Sequence, residues 1–200
     1  MNWLQHEQQA HALGYKSVCG VDEAGRGPLA GPVCAAAVIL PQGLIIPGVN
    51  DSKKLSEKKR GVLFAEITDV ALSYSIAFAT SGEIDEINIL NATFLAMCRA
   101  VEGLNVPADF ALIDGNLKPK GLCVPCCAVV HGDAVSHSIA AASILAKVTR
   151  DRYMQKLDEL YPQYAFGKHK GYGTKLHYEK LKEHGVSEVH RLPFLKKFRG

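Results

Sequence analysis

The sequence predicts an α/β fold in which a central mixed β-sheet is flanked by α-helices, and three observations carry that prediction. Short β-rich apolar runs alternate with longer segments of helical periodicity along the chain. The 200 residues are 48% hydrophobic and 22% charged, enough to bury one substantial core. No repeat or low-complexity linker intervenes, so a single domain over residues 1–200 is expected, with residues from about 165 to 200 as a helical, basic extension packed on it.

In chain order, a short amphipathic helix is expected at about Trp3 to Leu13. Lys16 to Val21 and Val33 to Leu40 read as two strands of a hairpin, both apolar and β-rich. Between them Gly25-Arg26-Gly27-Pro28 opposes regular structure and marks a tight, exposed connection. Pro41 to Ser52 is a loop, followed by a helix from near Ser56 with Glu57 in its first turn. Ala71 to Thr80 reads as a third strand, Ile89 to Val101 as a helix, and Asp109 to Ile113 as a short buried strand ending in Asp114-Gly115-Asn116. Cys126 to Val130 is a fifth strand that runs into His131-Gly132-Asp133. The segment Ser136 to Leu160 is a long helix whose first half carries alanines that permit close approach to the sheet. Past the glycine-punctuated Phe166 to Thr174 come a helix at about Lys175 to His184 and the basic end HRLPFLKKFRG.

No stretch approaches the roughly 18 apolar residues of a membrane span. The polar N-terminus lacks the charged start and apolar run of a secretion signal, so a cytoplasmic location is expected. Cys123 and Cys126 form one C-x-x-C, but a structural zinc site needs about four ligands and no second C-x-x-C or H-x-x-x-H completes it. Three of the six cysteines sit inside apolar runs, where a free Cys packs as a small hydrophobe, and buried thiols are the simpler reading of the C-x-x-C pair. Charge is uneven: residues 1–146 hold 10 Lys/Arg against 14 Asp/Glu, whereas residues 147–200 hold 13 against 6. A basic flank beside an acidic centre suits a polyanionic partner, although a solvated helical face would carry the same charge.

Four acidic residues, Asp22, Glu23, Asp114 and Asp133, each follow a predicted strand and sit beside turn-forming residues. Strand termini converge in an α/β sheet, and carboxylates gathered there repel one another unless a cation lies between them. Hard oxygen donors suit Mg²⁺ or Mn²⁺ better than zinc or copper. Asp-Gly turns explain Asp114 equally well when it is taken alone, but no turn preference explains Glu23. Neighbouring residues of a regular strand face opposite ways, so Asp22 and Glu23 can share one site only if the strand ends at them. Such a cluster fits phosphodiester hydrolysis. The dinucleotide fingerprint, the phosphate loop and the nucleophile elbow are all missing.

The segments GVDEAGRGPLAGPV (Gly20 to Val33), DSKKLS (Asp51 to Ser56), IDGN (Ile113 to Asn116), HGDAVSHSIAAASILAKVTRDR (His131 to Arg152) and HKGYGT (His169 to Thr174) resemble bacterial ribonuclease HII, the type 2 ribonuclease H family, across nearly the whole chain. The resemblance implies an RNase H-like fold and a divalent-metal-dependent endonuclease. Its substrates would be RNA–DNA hybrids and ribonucleotide-containing duplex DNA, its products 3′-hydroxyl and 5′-phosphate ends. It also implies that Asp22, Glu23, Asp114 and Asp133 bind Mn²⁺ or Mg²⁺, that Gly25, Arg26 and Gly27 contact the ribonucleotide, and that Tyr172 detects the RNA-to-DNA junction. Glycines let backbone amides and carbonyls come close to a 2′-hydroxyl, which makes the loop assignment chemically sensible.

Lys53, Lys54 and Lys170 are candidate phosphate contacts, and His169 is a candidate for proton transfer or phosphate contact, with a polar loop histidine as the simpler reading. Asp151 and Arg152 read as helix-surface or ion-pair residues. His131 stands where lysine is common in the family, and Pro193 where serine or threonine is usual. Two other readings remain: an RNase H-like nuclease of different specificity, such as a junction resolvase, and a non-catalytic nucleic-acid-binding protein. No membrane partner is expected, and the chain is expected to act as a monomer.

Overall fold

A computed structural model describes residues 2–195, so the last five residues of the basic end lie outside the described residues. Five strands form one sheet: β1 (Val18–Ala24), β2 (Val33–Ile39), β3 (Ser73–Ala79), β4 (Phe110–Asp114) and β5 (Cys126–Val129), in the order β3-β2-β1-β4-β5. The β1/β2 and β2/β3 pairs are antiparallel, and the β1/β4 and β4/β5 pairs are parallel, so the sheet is mixed as expected.

Helices α1 (Gln5–Ala12), α2 (Glu57–Val70), α3 (Ser81–Glu102) and α4 (His137–Leu160) surround the sheet; α5 (Phe166–His169) and α6 (Lys175–His184) belong to the tail. Alternation along the strands sends Cys19, Val21, Ala35, Ala37 and Ile113 to the α3 face, and Cys34, Ala36 and Val38 to the face covered by α2 and α4. Helix α4 lies very close to β1. A Cβ on Gly20 would fall 2.2 Å from the Ser138 carbonyl carbon, and Ala140, Ala141, Ala142 and Ala146 are fully buried against the sheet. Small residues on both elements allow this approach, and it places the start of α4 over the strand that carries Asp22.

Two expectations need correction. Strand β1 continues through Asp22 and Glu23, which pair with Ala36 and Ala35, because the hairpin partner keeps supplying hydrogen bonds; regular structure stops only at Gly25, where φ is +93°. Helix α3 starts eight residues before the expected Ile89, at Ser81, on a capping box in which Thr80 and Glu83 bond each other's backbone. It breaks at Asn88 (φ +66°), whose side chain caps the Leu90 and Asn91 amides, so only the second half shows a clean apolar period.

The tail is tied to the β1–β2 connection: Leu29 donates to Gly171 O, Arg191 donates to Leu29 O, and Ala30 and His190 form a β-bridge. Leu29, Met154, Leu157, Phe166 and Leu181 form the apolar seam between tail and α4. No helix among the described residues is long and apolar enough to cross a membrane.

Candidate active site

Strand alternation sorts the acidic residues before any ligand is considered. Asp22 shares the α4 face with Gly20, and Asp114, the last residue of β4, shares that face with Leu112. Asp133 sits in a 3₁₀ turn, Gly132–Ala134, that leads into α4. One carboxylate oxygen from each of these three lies within 4.8 Å of the other two. Glu23 points to the opposite face and stands outside the trio, yet it lines the same open cavity of about 220 Å³ at the sheet edge. The expected strand irregularity is therefore absent; the cavity reaches around the edge instead.

The charges are crowded. Asp22 and Asp133 are only 4% and 6% exposed. Burial, followed by the charges of Glu23 and Asp114, holds the Asp22 carboxyl well above the usual carboxylate range. Burial and then Asp133 push Asp114 up as well. Glu23 is raised by burial against the opposing pull of Arg26, whose guanidinium lies 3.3 Å away. A few donors offset this: Lys53 Nζ donates to Asp133 Oδ2 (3.1 Å), the Glu23 amide to Asp22 Oδ1 (2.7 Å), and the Asp133 amide to Asp114 Oδ1 (3.3 Å).

Gly25, Arg26, Gly27, Lys53 and Tyr172 also line the cavity. Tyr172 is half-exposed beside Gly27. The cavity further includes Ser52 and Lys147, which the sequence reading did not single out. Lys147 lies at the end of the alanine-rich half of α4, and its Nζ reaches Asp151 Oδ1 at 2.8 Å one turn along the helix. That i,i+4 spacing was the available signal. Asp151 is buried rather than on the helix surface, and pairs with Arg60 as well.

Other candidates lie elsewhere. Lys54 is exposed and does not line the cavity, and Lys170 Nζ is turned to Gly167 O (2.6 Å). His169 is corrected outright: it is buried in the tail, its Nε2 bonded to Tyr164 O and its Nδ1 accepting from the Gly171 amide, with its ring stacked 4.3 Å from His177. The surrounding aromatic cluster draws the ring in, so it faces no phosphate. All six cysteines are unpaired thiols; Cys19, Cys34 and Cys98 are buried, whereas Cys123 and Cys127 are exposed.

A mixed sheet whose edge gathers buried carboxylates, with lysines facing an open cavity, defines a carboxylate-centred α/β nuclease. The family follows from comparison with known proteins: the model of the family Ribonuclease HII matches residues 19–199, and the chain belongs to that family. The ribonuclease HII of Caldicellulosiruptor saccharolyticus is 54% identical over 195 residues, covering 98% of this chain and 95% of the relative. The crystal structure of ribonuclease H2 from Pyrococcus horikoshii OT3 aligns with a TM-score of 0.73 and 29% identity, over 92% of this chain and 99% of that one. A structure described as Bst-RNase HIII in complex with Mn²⁺ aligns with a TM-score of 0.65 and 19% identity, over 88% of this chain and 65% of that one, and shows the shared fold. The chain is thus a ribonuclease H-type endonuclease of a divalent-metal-dependent family that acts on RNA–DNA hybrids.

Proposed function

We propose that this protein hydrolyses the RNA strand of RNA–DNA hybrids and also cuts duplex DNA on the 5′ side of an embedded ribonucleotide, leaving a 3′-hydroxyl and a 5′-phosphate. The observation that carries this reading is the shared cavity: Gly25, Arg26, Gly27 and Tyr172 line the same space as Asp22, Glu23 and Asp114. A loop able to touch a ribose and a group of carboxylates able to direct hydrolysis thus meet over one stretch of backbone.

The donor set fits Mg²⁺ or Mn²⁺. It consists of hard carboxylate oxygens, three of them mutually within 4.8 Å, and burial and then their mutual crowding raise the proton affinity of Asp22 and Asp114, a cost of charge that a bound cation would relieve. Asp22, Asp114 and Asp133 would hold the ion, with Glu23 available from the other face. When bound, divalent ions of this kind lower the pKa of a water and stabilise charge on the attacking and leaving oxygens. Lys53 balances Asp133 and offers a cation to a substrate phosphate. Lys147, held by Asp151, does the same from α4. Tyr172 presents a flat ring on which the next sugar or base can rest. In this reading the protein works in the cytoplasm as a single-domain monomer.

The test is cleavage of three substrates: a DNA duplex with one ribonucleotide, the same duplex in all-DNA form, and a four-way junction. Cutting confined to the first is expected. Equal cutting of all three would overturn the reading in favour of a resolvase-like specificity, and metal-independent binding without cleavage would point to a binding protein.

A further inference from the structure

The loop that follows β1 rests on a buried cation. Arg191 is fully buried, and its guanidinium spends its donors on loop carbonyls alone: Nε to Gly31 O (2.8 Å), one terminal nitrogen to both Arg26 O and Pro28 O (2.9 Å each), and the other to Gly25 O (2.7 Å). Among the described residues no carboxylate forms an ion pair with it. Burial, and then the charge of nearby Arg150, pull Arg191 down to about 9, which leaves it a cation at neutral pH. Its own amide is fixed by Leu29 O, so the tail segment holding it is registered against the same loop.

These bonds decide which way the peptide groups face. In a trans peptide the C=O and the following N–H point in opposite directions, and there is no cis bond in the described chain. With the Gly25 and Arg26 carbonyls drawn down to Arg191, the Arg26 and Gly27 amides face the other way, on the side where residues 25–27 line the cavity. Neither amide donates a hydrogen bond within the described residues. Two consecutive free N–H groups of this kind make a concave site for an oxygen atom.

We propose that Arg191 is the positioning residue that presents the Arg26 and Gly27 amides to the substrate and thereby sets how strongly the protein distinguishes a 2′-hydroxyl from a hydrogen. Arg191 touches no substrate; it acts through the backbone of the loop. Lysine cannot replace it, because three tetrahedral donors on a flexible stem cannot span four carbonyls held by a planar fork. The proposal rests on the reading that the Gly25–Gly27 loop contacts the ribonucleotide.

The experiment measures the affinity of wild type, Arg191→Lys and Arg191→Gln for a duplex with one ribonucleotide and for the same duplex in all-DNA form, without divalent metal. The discrimination ratio is expected to fall by about tenfold in Arg191→Lys, the equivalent of about 1.4 kcal/mol, while all-DNA affinity stays at the wild-type value. A folded variant that keeps the wild-type ratio overturns the proposal. So does an equal loss on both duplexes, since that is what a merely structural role would give. Absence of discrimination in the wild type would instead overturn the underlying reading of the loop. Should neither variant fold, amide hydrogen exchange of the wild type decides. The Arg26 and Gly27 amides should exchange freely in the free protein and become protected by the ribonucleotide duplex but not by the all-DNA one; protection already present in the free protein overturns the proposal.

Discussion

At the sheet edge three carboxylates lie within 4.8 Å of one another with one lysine among them, whereas beneath the neighbouring loop two guanidiniums, Arg150 and Arg191, are buried with carbonyl oxygens for partners. The first region concentrates like charge that the fold alone does not neutralise. The second satisfies each buried donor with a backbone dipole. In the proposed function the crowded carboxylates would take the ion and the carbonyl-paired loop would present a shape, so the contrast teaches that like charge and full pairing can serve different tasks beside one cavity.

The largest expected effect separates the two. Asp22→Asn should lower cleavage by at least about a thousandfold, about 4 kcal/mol of barrier, in an assay on the single-ribonucleotide duplex. The same substitution should leave the metal-free melting temperature unchanged or higher, because it removes one of the repelling charges. A clear drop in melting temperature would mean that the edge is not electrostatically strained.

The loop should respond in the reverse manner. Gly25 holds φ at +93°, and a Cβ there would fall 1.9 Å from Arg150 Nε. Gly25→Ala should therefore cost about 2–3 kcal/mol in urea unfolding, and a neutral result would show that the loop is not rigidly seated.

pH gives the comparison opposite signs. Asp22 is raised above its unfolded value, so its contribution is full below that value and is lost as pH rises through the folded one. His177 and His190 are lowered to about 4 by burial, so their contribution is full above about 6.5 and is lost as pH falls towards 4. Metal-free protein should thus lose protection from hydrogen exchange in α6 first on acidification, by on the order of 1–2 kcal/mol. Added Mg²⁺ or Mn²⁺ should stabilise the protein near neutral pH and leave the histidine limb unmoved. Stabilisation of equal size in Asp22→Asn would contradict the metal site. The smallest effect belongs to Lys54, which is exposed: Lys54→Gln should shift stability by less than about 0.5 kcal/mol, as measured by urea unfolding.

Local pattern made most of the fold legible. The β-rich runs marked all five strands to within a few residues, and the alanines of α4 announced its close packing. The two misjudged boundaries have different causes: pairing with β2 extended β1 through its acidic pair, and the polar first turns of α3 carry no apolar period to betray them. In the site, Asp22, Asp114 and Asp133 were legible as members of one group because acidic residues at the ends of separate elements, each beside turn residues, have few other uses in common.

Which carboxylates form the trio, and which one stands apart, was decided by strand alternation once β1 was known to run through Ala24. Tertiary packing, not strand alternation, placed Lys147, Arg150 and Arg191, whose residue types and positions suggest ordinary helix or tail residues. Sequence by itself determined the kinds of group and the elements that bear them, since both follow from side-chain chemistry and short-range periodicity. Only the tertiary structure decided that a tail arginine would lie under a loop some 165 residues earlier in the chain, because that contact depends on where the tail returns to the sheet and not on any local preference.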